Sequence, residues 1–122
     1  MEEVGADPDT TSATIHTGSY NHMINTQKTK AVYTEGAEDG FHLYSCEWTP
    51  ERISFFTDRV LTHEFINDGT GDVNTWPFDK NFHIILNLAW GGDWGGYKGV
   101  DESALPCVMK VDYVRVYQKI QH

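Results

Sequence analysis

Between Phe41 and Phe65 the chain reads FHLYSCEWT, PE, RISFFT, DR and VLTHEF, a clearly alternating run and two further strand-like runs separated by two-residue breaks. Successive residues of a strand point to opposite faces, and a two-residue connection can join only antiparallel neighbours. In the first run Phe41, Leu43, Ser45 and Glu47 alternate with His42, Tyr44, Cys46 and Trp48. Pro50 and Glu51 then turn the chain into Arg52 to Thr57, and Asp58-Arg59 closes a hairpin onto Val60 to Phe65. Arg59 stands where glycine would best tolerate positive φ, so backbone strain is expected at this turn. Such a segment folds as an antiparallel meander.

The rest of the chain carries the same signature. Ser12 to Thr17 (SATIHT) alternates Ala13, Ile15 and Thr17 against Thr14 and His16. Lys28 to Thr34 alternates weakly, as an exposed or edge strand would. Phe82 to Leu88 is an apolar run of strand length, and Val108 to Tyr117 (VMKVDYVRVY) reads as a long final strand. Between them lie segments rich in Gly, Asp, Asn and Pro: Val4 to Thr11, Gly18 to Gln27, Glu35 to Gly40, Asn67 to Thr75 and Tyr97 to Pro106. About seven short strands, with no helical periodicity and no internal repeat, predict an all-β antiparallel sandwich or jelly roll nearly free of helix.

At 122 residues one domain is the ceiling, and residues 1–122 are read as part of a single unit. Eighteen acidic residues against nine basic give a net charge of −9. That balance repels nucleic-acid phosphates and anionic membrane surfaces, so neither is expected as a partner. Neutral ligands suit it, and carboxylates can hold calcium. No apolar run approaches the roughly 20 residues of a membrane span, and Met1-Glu2-Glu3 is acidic where a signal peptide would be basic. Cys46 and Cys107 lack metal-site spacing and are expected as buried free thiols.

Chemistry gathers in three places. The stretch WPFDKNFHIILNLAWGGDWGG (residues 76–96) places Phe82, Ile84, Leu86 and Leu88 on one face of a strand and His83, Ile85 and Asn87 on the other. Trp90 and Trp94 follow, around a Gly91-Gly92-Asp93 turn. Amides hydrogen-bond hydroxyls, and aromatic planes stack on the C–H faces of pyranose rings, so Asn87 with two tryptophans fits sugar recognition as well as a plain core strand. Around the second place, His16 leads into Tyr20, Asn21 and His22. Should its strand neighbour the N-terminal segment, the imidazole would lie beside a carboxylate, an arrangement suited to acid/base work. His42 and His63 are expected as surface or half-buried strand residues, and the six scattered histidines show no ligand spacing. Third, Asp112 shares a strand face with Val114 and Val116, which calls for a fixed partner such as calcium or a hydrogen-bond network.

Together FHLYSCEWTPERISFFTD, the 76–96 block and the terminal VDYVRVYQ resemble the second half of family 16 glycoside hydrolases of the bacterial laminarinase (endo-1,3-β-glucanase) type, along Met1 to Gln118. The resemblance implies a concanavalin-like β-jelly roll of two antiparallel sheets whose concave face is the glucan cleft. It implies a secreted, retaining hydrolase of internal β-1,3 bonds in laminarin-like β-glucans. Met1-Glu2-Glu3-Val4-Gly5 resembles the end of the family's catalytic strand E-I-D-I-M-E, so Glu2 matches the general acid/base and His16 the cleft histidine. Asn87, Trp90 and Trp94 match positions in or beside the cleft, with Tyr20 and His22 joined to them as substrate contacts. Asp112 matches an aspartate that helps hold a structural calcium. The family's nucleophile would fall upstream of Met1. The 122 residues are therefore expected to be an incomplete half, inactive alone, needing an N-terminal partner segment or strand exchange with a second copy. A non-catalytic, lectin-like β-glucan-binding module is the alternative.

Overall fold

A computed structural model describes residues 1–120. Six strands form two three-stranded antiparallel sheets. The first sheet has β1 (Glu2–Glu3), β2 (Thr10–Ile15) and β3 (Lys28–Tyr33) in that order. The second has β4 (Tyr44–Trp48), β5 (Arg52–Thr57) and β6 (Val60–Ile66), also in chain order. Among the described residues helix is confined to the single turn α1 (Gly92–Gly95) and two 3-10 turns, His22–Ile24 and Glu102–Ala104. The all-β, two-sheet expectation is met.

The β4–β6 meander follows its alternation except in β6, where the register shifts between His63 and Leu61, opposite Phe55 and Phe56. Cys46 lies opposite Phe55 and Trp48 opposite Ile53, while Ile53 faces Phe65 across the next ladder. This register gathers Tyr44, Cys46, Trp48, Ile53, Phe55, His63 and Phe65 on one face. Asp58 and Arg59 both take positive φ, 49° and 71°, the geometry that lets a two-residue loop match the twist of its strands. Arg59 carries the strain expected of it.

Ile15 from β2, Ile53 from β5 and Trp76 form the buried centre, with Phe55, Phe65 and Phe78 packed around it. The Trp76 ring stacks on Phe65 at 5.5 Å and 15°, and meets Phe78 edge-on at 5.2 Å. Alternation alone missed Trp76, because it follows a loop rather than lying in a strand. On the opposite face of β5, Ser54 is buried beneath the Arg52–Glu64 pair and donates to Glu64 Oε2 at 2.9 Å.

Several boundaries differ from the sequence reading. The first long strand begins at Thr10, not Ser12, and ends at Ile15, so His16 and Thr17 lie just past it. Pairing of Thr10 with Tyr33 and Thr11 with Val32 accounts for the shift; the Thr11 and Thr34 hydroxyls share a buried 2.8 Å bond at that end. Residues 41–43 stay outside β4. There His42 is half-buried and bonds Asp58 Oδ2 at 2.7 Å and the Gly36 carbonyl at 3.1 Å, so it is a loop clamp and not a strand residue. His63 is the half-buried strand residue expected. Cys46 and Cys107 are free, but exposed rather than buried.

The largest departure concerns Phe82–Leu88 and Val108–Tyr117. Neither run joins a ladder among the described residues, and Phe82, Ile84, Leu86 and Leu88 are each more than half exposed. A strand is defined by its hydrogen-bonded neighbour, and apolar composition without one does not make a strand. Phe82 alone keeps core-like contacts, its ring 5.5 Å from Phe78 and 5.8 Å from Trp48.

Candidate functional site

The first sheet has two unlike faces. Glu3, Thr11 and Val32 form one cross-strand row, and with Ala13 and Ile15 they face inward; Thr11, Ala13 and Ile15 are all buried. Glu2, Ser12 and Ala31 form the next row and face outward, together with Thr14, Thr29 and Tyr33. His16 continues the same parity just beyond β2. The outward surface is thus a strip of hydroxyl-bearing side chains with one carboxylate near one edge and an imidazole further along β2. Thr14 and Thr29 join hydroxyls across it at 2.8 Å, and Tyr33 stands 73% exposed at its far strand.

β2 does neighbour the N-terminal strand, as acid/base chemistry would require. However, Glu2 lies opposite Ser12, four residues from His16. At about 3.3 Å per residue that is roughly 13 Å along the strand, and no hydrogen bond or ion pair joins them among the described residues. His16 instead meets His22 edge-on, with ring centroids 5.5 Å apart. His22 is held in place by the 3-10 turn that Asn21 caps through its side chain. Tyr20 is turned toward the interior, edge-on to Phe65 at 5.9 Å, with Lys28 Nζ 4.3 Å from its ring centre.

Behind Glu2, its neighbour Glu3 has a pKa pushed up to about 7. Partial burial is the main cause, followed by a hydrogen bond with Glu38 and the negative charges of Glu38 and Asp9. Burial and the same Glu3 charge push the Tyr44 phenol up. Asp9 fastens the Glu38 turn by accepting from Ala37 N at 2.9 Å. His42 is held above the usual imidazole range by Asp58 and the Gly36 carbonyl, and Asp58 is held low by Leu43 N–H and His42.

The aromatic wall lies on the 82–100 segment. Asn87 is exposed on the unpaired run, Trp90 is 46% exposed, and Trp94 sits in α1 at 50%. The segment is tied to the N-terminal loop at one point. Tyr97 OH donates to Asp7 Oδ2 at 2.8 Å, and Lys98 Nζ donates to Asp7 Oδ1 at 2.9 Å. No sequence signal marked Asp7, Tyr97 or Lys98, since their pairing spans about ninety residues. A separate open hollow of about 610 Å³ lies between Trp48, Pro50, Asn67, Trp76 and Asp79, and contains none of these candidates.

Asp112 is exposed, and no group of three His, Cys, Asp or Glu side chains gathers as a metal site among the described residues. One carboxylate cannot meet calcium's need for six to eight oxygens. The residues present do not make up a calcium site.

Two three-stranded antiparallel sheets with little helix define an all-β, sandwich-type domain. Residues 1–115 match the family described as glycosyl hydrolases family 16, and the chain belongs to it. It is 46% identical over 125 residues to a β-glucanase of Rhodothermus marinus, covering 99% of this chain and 44% of that protein. The crystal structure of the laminarinase from Rhodothermus marinus superposes with a TM-score of 0.82 at 44% identity, over 85% of this chain and 43% of that one. A mutant of SCLam, a non-specific endo-β-1,3(4)-glucanase co-crystallised with 1,3-β-D-cellotriosyl-glucose, gives 0.82 at 43%, over 85% of this chain and 40% of that one. The 122 residues span under half the length of these relatives.

Proposed function

We propose that this chain supplies the acid/base half of a retaining endo-β-1,3-glucanase acting on laminarin-like β-glucans. The observation that carries the reading is the placement of Glu2 on the outward face of β1, in line with the Ser12, Thr14 and His16 side of β2, in a family 16 chain. In this role Glu2 protonates the glycosidic oxygen as the leaving sugar departs, then takes a proton from the water that completes hydrolysis. His16 and His22 flank the sugar path, while Asn87, Trp90 and Trp94 bind hydroxyls and ring faces. Tyr20 contributes by holding the His16–His22 turn against Phe65.

Retention requires a second carboxylate about 5–5.5 Å from the first to form the glycosyl-enzyme. Glu2 is the one carboxylate that β1, β2 and β3 direct to the outward face, since Glu3 points the other way. The nucleophile in this proposal therefore comes from polypeptide outside the 122 residues, either an N-terminal segment of the same domain or a second copy. The same segment would pair with residues 82–88 and 108–117, and would add the oxygens that calcium at Asp112 lacks. An extracellular location goes with a polysaccharide substrate too large to enter a cell.

Reducing-sugar release from laminarin is the test. The 122-residue chain is expected to be inactive alone and active once complemented by the N-terminal half of a family relative. Glu2→Gln in the complemented enzyme should lower kcat by about 10²–10⁴. Turnover by the chain alone, or full activity with Glu2→Gln, would defeat the assignment. The exposed tryptophans and single carboxylate also favour a second reading, a non-catalytic β-glucan-binding module. Laminarin binding without turnover even after complementation, lost in Trp94→Ala, would establish it.

A further inference from the structure

The loop that presents Trp94 is built to move unless something holds it. Gly91, Gly92 and Gly99 adopt φ of 72°, 79° and 102°, a region that side chains disfavour and that glycine enters freely. Between these glycines the backbone forms only short-range turns: Gly96 N donates to the Gly92 carbonyl at 2.9 Å, and Gly99 N to the Gly96 carbonyl at 2.8 Å. None of residues 92–99 is buried. Four residues of helix cannot sustain themselves, because nucleation costs more than so few bonds return.

What opposes that freedom is Asp7. Its two carboxylate oxygens are divided between neighbouring residues of the loop, Oδ2 taking Tyr97 OH and Oδ1 taking Lys98 Nζ. Lys98 Nζ also donates to the Ala6 carbonyl and lies 5.3 Å from the Tyr97 ring centre. Asp7 is itself fixed in the tight turn between β1 and β2, where its N–H donates to the Val4 carbonyl at 2.9 Å and its carbonyl accepts from Thr10 N at 3.2 Å. That turn begins two residues after Glu2. The clasp therefore couples the end of the strand that carries Glu2 to the loop that carries Trp94.

We propose that Asp7, with Tyr97 and Lys98, is a positioning clasp that sets the Trp94 loop against the Glu2 strand and so tunes glucan affinity. Asp7 touches no sugar in this account; it acts by holding the loop. The inference rests on the glucan-binding reading above for its consequence, but the clasp itself has a readout of its own.

The test compares wild type with Asp7→Ala, Tyr97→Phe and Asp7→Glu, using amide hydrogen exchange over residues 91–99 and calorimetric binding of laminarihexaose, a linear β-1,3-glucan oligosaccharide. Asp7→Ala should speed exchange over 91–99, leave β5 and β6 unchanged, and weaken laminarihexaose roughly three- to tenfold, the scale of losing two exposed charge-assisted bonds. Tyr97→Phe should show a smaller effect in the same direction, and Asp7→Glu should restore most of both. Raising NaCl to about 1 M should reproduce part of the Asp7→Ala effect in wild type, because the Lys98 half is screened. Unchanged exchange in Asp7→Ala, or weakened binding with unchanged exchange, would overturn the clasp. If wild type fails to bind laminarihexaose while Asp7→Ala still loosens 91–99, the clasp stands and the glucan reading falls.

Discussion

Replacing Glu38 with glutamine makes the acidic cluster behind Glu2 measurable. In the folded chain the Glu3 carboxyl titrates at about 7 against an ordinary 4.5, because it is partly buried and bonded to a second carboxyl. Between those two pH values the folded state holds a proton that the unfolded chain has already released. The contribution of Glu3 to stability therefore falls as pH rises from about 4.5 to about 7, with nothing further lost from it above that. Taken at face value the shift is worth about 3 kcal/mol; Glu3 is mostly solvated, and screening brings the figure to about 1 kcal/mol. Glu38→Gln removes the like charge and leaves an amide that can donate to ionised Glu3, while burial and Asp9 remain. The variant should match wild type near pH 4.5 and exceed it by about 0.5 kcal/mol at pH 8, the share of the screened shift that Glu38 supplies. His42, whose raised pKa adds stability below its ordinary 6.5 that is lost as pH climbs through the raised value, is present in both proteins and cancels in the difference. Urea unfolding of both chains across pH 4.5–8, followed by tryptophan fluorescence, reads the effect directly. Equal stabilities at pH 8, or parallel pH profiles throughout, would refute the shared-proton account.

Arg59→Gly should raise stability by a few tenths to about 0.5 kcal/mol in thermal unfolding, because relief at φ 71° outweighs the extra freedom of glycine in the unfolded chain. Trp76→Ala should cost about 3–5 kcal/mol, since it removes a ring that is 6% exposed, stacked on Phe65 and edge-on to Phe78. Loss of the cooperative transition in circular dichroism is the expected result; a stable variant would show that the aromatic cluster is not the centre of the core.

What could be read from the sequence was whatever is local. The β5–β6 hairpin was legible because its alternation and its two-residue turn lie within fifteen residues of one another, and Arg59 betrays its own strain. The all-β class followed from the same repeating signal. Family membership was legible through three separated blocks, none of them sufficient alone. Glu2 and His16 were found as types, and the register of β1 on β2 then decided how they stand: same face, roughly four residues apart, and not in contact.

Tertiary structure decided what no window of sequence contains. Phe82–Leu88 has strand composition, yet composition cannot supply the neighbour that a ladder requires, so the run stays unpaired and exposed. Trp76, Tyr20 and Phe65 reveal their shared packing only when a loop, a turn and a strand meet. The link from Asp7 to Tyr97 and Lys98 is set by the fold across about ninety residues. Alternation and turn chemistry act over a few residues and are written in order along the chain; contacts between distant segments depend on where the folded backbone brings them.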